Sequence, residues 1–364
     1  MKTTKALAIA ILVLVAAGCR PEPQPNVAGQ PGWGQPGWGQ PGQPQPGQPN
    51  GGQPSSPPST TPPGSTPPAQ PPAAPPPAPL GSYDATGAMT QTFLRQEAKT
   101  VLDALVAALA DNHRTRVLGI PLAVIEDQKE VNAFAGCDKS GRAYMAITSP
   151  LLTIQASTSE AKAYDELYGT RAYDEYIDSV AGSVRSGRGV QGLPPGKLPL
   201  PNALDSRKLA RQKHLYDEQL AFVLGHELAH HYRGHTGCAN GGSSTGVGAE
   251  DITRLLSNVV PTLNQPVEVD ADQFGVRNVL DAGVRQPVAW TEGGAMMTLD
   301  FFGRLSKMGP EVLLLGFFQT HPHPSVRTPI VQSTAQQWRQ NQGRSPGSSP
   351  CPIQLPFPIP GLGC

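Results

Sequence analysis

No charged residue lies between Glu22 and Asp84, and none of the eight histidines falls before His113. Residues 20–80 are built from Pro, Gly, Gln, Ser and Ala, with few bulky apolar side chains. Such a stretch cannot bury enough apolar surface to offset the entropy of ordering it. It reads as a disordered tether with polyproline character. Its small repeat, Gln30-Pro-Gly-Trp-Gly followed by Gln35-Pro-Gly-Trp-Gly, contains no imidazole, which excludes a histidine-ligated copper repeat and leaves a linker carrying Trp33 and Trp38. The formal net charge is zero, with 28 basic against 28 acidic residues, and there is no basic stripe; nothing argues for nucleic-acid binding. Beyond the first residues, no run approaches the roughly twenty apolar residues that a bilayer needs. Cysteine is scarce, at five residues, and no CxxC spacing occurs, which argues against a cysteine-ligated metal site.

The N-terminus has the pattern of an export signal: Lys2 and Lys5, the apolar run Ala6 to Val15, then small residues before Cys19. Leu14-Val-Ala-Ala-Gly-Cys19 resembles a lipoprotein signal, whose cleavage at 1–18 leaves a lipidated Cys19 at the head of a tether spanning 19–80. Ordinary signal cleavage near Cys19 is the alternative. Arg20 rather than Asp after that cysteine favours the outer membrane under the enterobacterial sorting rule. Residues 81–342 have the composition of one catalytic domain, and 343–364 return to Pro and Gly around Cys351 and Cys364. With Cys19 lipidated, four cysteines remain, which permit two disulfides in three pairings.

The chemistry is concentrated at His226-Glu-Leu-Ala-His230. Apolar periodicity and the stop at Gly234 place this HExxH on a helix over about 207–233. Residues four apart share one helical face, so His226 and His230 can aim their imidazoles at one metal ion. Glu227 stands beside them as a general base. Leu220, Phe222, Val223, Leu224, Leu228 and Ala229 surround the motif, so the helix is largely buried, and polar groups are rarely buried without a role. A catalytic zinc usually has three protein ligands. Gly234 and His235 each miss the HExxHxxGxxH register by one residue. The better source is Glu268-Val-Asp-Ala-Asp272, whose acids lie four apart on a helix over 266–282, although a solvated acidic face has the same spacing.

Elsewhere, helices are expected over 88–112, 157–183, 287–307 and 324–340. Strands are expected over 117–125, 132–136 and 143–148, with Asp138 to Gly141 as a turn. Residues 186–204 read as a Gly- and Pro-rich loop, and 237–248 as a flexible one.

Four segments in order carry a family resemblance: Asn132-Ala-Phe-Ala135 with Thr148-Ser-Pro-Leu-Leu152, the helix entry Glu218 to His226, Glu268-Val-Asp-Ala-Asp272, and Thr320-His-Pro-His-Pro-Ser-Val-Arg327. Together, over about 88–340, the chain resembles the HtpX-like and CAAX prenyl protease family of zinc metallopeptidases, in its soluble periplasmic BepA-like branch. The resemblance implies an α+β fold: a mainly helical zincin-type (gluzincin) domain with a small sheet whose edge strand borders the active site. It implies one catalytic Zn2+ held by His226, His230 and Glu268, with Asp272 behind the ligands. It also implies catalytic or orienting roles for Glu227, His321 and Arg327, and an edge strand Asn132, Ala133, Phe134, Ala135 that pairs with extended substrate. His321 is preferred to His323 because it keeps Arg327 in register. Cys137 and a short turn replace the longer glycine-rich segment often found after that strand. If the resemblance holds, Cys137 and Cys238 both border the site, and a bridge between them would lock the cleft rim, leaving Cys351–Cys364. The rival pairing ties the tail to the domain. The implied activity is cleavage of protein or peptide substrates in envelope quality control. The competing reading is a zinc-containing chaperone-like or cell-wall scaffold lipoprotein without turnover.

Overall fold

The computed structural model describes residues 81–126, 130–239 and 265–341. The export signal, Cys19 and the tether lie outside the described residues, as do most of the 237–248 loop and the tail with Cys351 and Cys364.

Helix α1 (Gln91–Ala108) starts at Thr90, whose hydroxyl accepts from the Phe93 N–H, and buries Phe93, Leu94, Ala98, Val101, Leu102 and Leu105 on one face. The single helix expected over 88–112 ends at Ala108, because Leu109 and Ala110 turn extended before a second helix, α2 (Asp111–Val117). Asp111 in the first turn and Arg114 and Arg116 in the last suit the dipole of this short helix. Val117 is therefore helical, not the start of a strand. Gly119, at φ +83°, and Pro121 delay the first strand, β1 (Leu122–Ile125).

β1 runs parallel to β3 (Ala143–Thr148), and β2 (Ala133–Cys137) runs antiparallel to it, giving the order β1-β3-β2. β2 is thus an edge strand, with Phe134 opposite Ala146 and Cys137 opposite Ala143. Asp138 and Gly141 close the turn as expected, the Gly141 N–H reaching the Asp138 carbonyl at 2.9 Å.

The helix expected over 157–183 is two helices, α3 (Ser149–Tyr168) and α4 (Ala172–Arg185). Pro150 in the first turn suits the earlier start. Gly169, in the left-handed region at φ +64°, ends α3. The Asp165 carboxylate then reaches across the break and accepts from the N–H groups of Ala172 and Tyr173, capping α4.

The longest helix among the described residues, α5 (Ser206–Tyr232), begins where Asp205 accepts from the Arg207 N–H and is almost continuously buried from Leu215 to Tyr232. It packs against α3, α6 (Gln265–Gly283) and α7 (Gly293–Leu305). Polar ties cross this core: the Gln219 amide donates to the Gln155 carbonyl and the Ser159 hydroxyl, and the buried Lys208 pairs with Glu160 at 2.9 Å. Gly294 lets α7 lie on α5, since a Cβ there would fall 2.1 Å from the Glu218 backbone. The chain then passes through a 3-10 turn (Pro310–Leu314) and a short α8 (Gly316–Thr320), which the sequence reading did not foresee, into α9 (Pro324–Asn341). Among the described residues, no helix is long and apolar enough to cross a membrane.

Candidate metal centre

Three elements deliver the site. α5 carries His226, Glu227 and His230, α6 carries Glu268 and Asp272, and the segment between α8 and α9 carries His321, with Arg327 one turn into α9. His226, Glu227, Glu268, Asp272, His321 and Arg327 are all buried, a concentration of polar groups that an interior tolerates only when each is matched.

The Nε2 atoms of His226 and His230 lie 3.1 Å apart; the first is 3.3 Å from one Glu268 oxygen and the second 3.4 Å from the other. Ligand atoms around a tetrahedral zinc, at about 2.0–2.1 Å from it, stand roughly 3.4 Å from one another. Two imidazole nitrogens and the edge of one carboxylate thus lie within 4.8 Å of one another, a grouping that could hold a metal ion. Their chemistry fits as well: two imidazole nitrogens and one carboxylate oxygen.

The acids and imidazoles of the cluster shift one another strongly. Burial works against a charged Glu268, but hydrogen bonds from His226, His230 and His321 hold its carboxyl well below the usual range. Burial likewise opposes protonation of His226, and Arg327 adds to this, yet Asp272 and Glu268 outweigh both and lift it to about 9. His230, dominated by burial, is pushed down.

Behind the histidines stands a relay. His226 Nδ1 meets Asp272 at 2.9 Å, which turns its Nε2 toward Glu268. The Arg327 guanidinium clamps Asp272 through Nε at 2.9 Å and Nη2 at 2.6 Å. This pairing keeps Asp272 ionised, near 2, against the penalty of burial. His321 spans the two glutamates: its Nδ1 is 2.9 Å from Glu268, and its Nε2 is 3.6 Å from Glu227. His323 does not join them; it bonds Ser306 and Ser325, capping the start of α9.

The edge strand reaches the site through its first residues. The Asn132 carbonyl oxygen of the side chain accepts from the Thr320 hydroxyl at 3.2 Å, and the Val131 carbonyl accepts from the Phe317 N–H at 3.0 Å. Residues 131–132 are thus tied to the segment that carries His321. Ala133, Phe134 and Ala135 lie in β2, which packs on α5. Among the described residues its outer edge pairs with no further strand. A disulfide joins Cys137, at the end of β2, to Cys238, just past α5, with Cα atoms 6.0 Å apart.

Some contributors escape a motif reading. Gly225 and Gly275 allow α5 and α6 to touch beside His226. His231, next to His230 but facing away from Glu268, bonds the Tyr144 carbonyl at 2.9 Å and Thr236 at 3.0 Å, joining α5 to β3. His235, out of register as a ligand, meets the His230 ring and Asp270. The glycines inside helical runs were the available signal for the first pair.

Residues 206–335 match the sequence model of peptidase family M48. The matched span begins with α5 and ends inside α9, so it takes in the HExxH helix, Glu268, Asp272, His321 and Arg327. This likeness supports a metallopeptidase. Searches of curated proteins and of solved structures returned no match.

Proposed function

We propose that the chain is a zinc endopeptidase that cleaves extended segments of envelope proteins. The observation that carries this reading is the convergence of His226, His230 and Glu268, whose ligand atoms lie within 4.8 Å of one another, with Glu227 beside them. A zinc ion bound there supplies Lewis acidity, polarising a peptide carbonyl and making water nucleophilic near neutral pH.

The protein's own groups do the rest. Glu227 takes the proton from water and returns it to the leaving amine. His321, between Glu268 and Glu227, orients both acids at the site. Asp272 and Arg327 hold His226 in register from behind. Substrate lies extended beside β2 near Asn132 to Ala135, held by main-chain hydrogen bonds with little demand on sequence. The biological reading adds export and lipid attachment through Cys19, with residues 20–80 as a spacer and quality control of misassembled proteins as the role.

Glu227→Gln tests the reading. It keeps the side chain's size and removes the base, so zinc content should match wild type while peptide cleavage falls by about 10²–10⁴-fold. Equal zinc with undiminished cleavage would sink the mechanism. A wild-type protein that holds zinc but cleaves no peptide would favour the chaperone-like alternative.

A further inference from the structure

Helix α5 ends in a defined turn. Gly234, at φ +85°, follows the capping residue Arg233 and sends its N–H to the His231 carbonyl at 2.9 Å, while the His235 N–H reaches the His230 carbonyl at 2.8 Å. This is the Schellman ending, which folds the residue after glycine back over the third residue from the helix end, usually in an apolar contact. Here those two residues are His235 and His230, and the contact is polar: their Nδ1 atoms are 3.1 Å apart.

Two ring nitrogens at that distance share one proton, with one nitrogen donating and the other accepting. The far side of His235 decides which. Its Nε2 lies 3.0 Å from Asp270, and an ionised carboxylate only accepts, so the His235 proton is on Nε2 and its Nδ1 is bare. His230 must then carry its own proton on Nδ1, which leaves the lone pair of its Nε2 facing His226 and Glu268. Asp270 is itself held by Arg233, whose Nε is 2.7 Å away and whose guanidinium lies 3.8 Å above the Phe274 ring.

We infer that His235, backed by Asp270, is a positioning residue that sets the tautomer and ring plane of His230 for metal binding. The inference rests on the metal centre proposed above. Each histidine then has its own carboxylate behind it: Asp272 directly for His226, and Asp270 through an intervening imidazole for His230. One stretch of α6 supplies both, together with the third ligand. His235 is not a ligand, because both of its nitrogens are engaged away from the metal position.

The test uses the full-length protein and zinc itself, with affinity read by competition against a chromophoric chelator and geometry read from the visible spectrum of the Co2+-substituted protein. His235→Ala should weaken zinc binding about 10–100-fold and alter the cobalt bands. His235→Asn, whose side-chain oxygen stands near the place of Nδ1 and can accept from His230, should recover most of both. Metal-free melting curves check that the variants fold. Wild-type protein provides a measure free of mutation: 15N-detected imidazole signals should show His230 protonated at Nδ1, and the opposite tautomer overturns the inference. If His226→Ala loses zinc while His235→Ala keeps wild-type affinity and spectrum, the relay alone fails. If wild type binds no zinc, the metal centre fails and takes the relay with it.

Discussion

Gly225 of α5 and Gly275 of α6 face each other so closely that a Cβ on Gly275 would stand 2.9 Å from the backbone nitrogen of His226. The two helices meet backbone to backbone at the residue whose ring must reach both Glu268 and Asp272. Any side chain there pushes the acids of α6 away from the histidines of α5.

Gly275→Ala should therefore act on stability and on the metal together. Overpacking at such a contact costs about 1–3 kcal/mol. Urea denaturation should show that loss, and chelator competition should show weaker zinc binding. Wild-type values in both would mean that the helices have slack to separate.

Arg327→Met should separate stability from metal binding. It leaves Asp272 buried without its partner, which costs about 3–5 kcal/mol. Combining it with Asp272→Leu removes the stranded charge and should restore much of the stability. Zinc affinity should nevertheless stay about 10–100-fold low, because His226 has lost the acceptor on Nδ1. Restored affinity in the double variant would show that Asp272 does not orient the ligand.

His231 makes stability depend on pH. Burial, opposed in part by the Tyr144 carbonyl, lowers it from 6.5 to about 4. Between those values the unfolded chain binds a proton that the folded chain refuses. The contribution is thus complete above about pH 6.5 and is lost as pH falls toward 4, by about 1.4 kcal/mol per unit. Denaturation at pH 7, 5.5 and 4.5 should show His231→Gln losing stability less steeply than wild type. An equal slope would place the titration elsewhere.

The Cys137–Cys238 bridge closes a loop of sequence separation 101. Removing a link over a loop of roughly that length costs up to about 4.7 kcal/mol in the chain-entropy account. Cys137→Ser, Cys238→Ser and the double variant should all lose the same amount, and a reductant should lower wild-type stability to their level. A larger loss in the double variant would mean that each cysteine contributes apart from the bond.

Features fixed by neighbours along one helix are legible in the sequence. His226 and His230 share a face because they are four apart on α5, and Glu268 and Asp272 share one on α6 for the same reason. Strand β3 was also readable, from its apolar run and the turn before it. The errors fell at breaks: periodicity persists across Gly169, so two helices read as one, and past Leu109, so the first helix read too long and α2 went unseen. What stops α3 and restarts the chain as α4 is a side chain, Asp165, reaching backbone groups beyond the break.

The sequence by itself determined which residues could ligate, because the period of a helix is a property of the local backbone. Only the tertiary structure decided which nitrogen of His226 meets Asp272, that Arg327 arrives 55 residues later to clamp that acid, and that His235 serves His230 rather than the metal. Those outcomes depend on how closely and at what depth separate helices pack, here on the bare contact of Gly225 with Gly275 and the turn at Gly234. Spacing along the chain carries no information about distances across such a crossing.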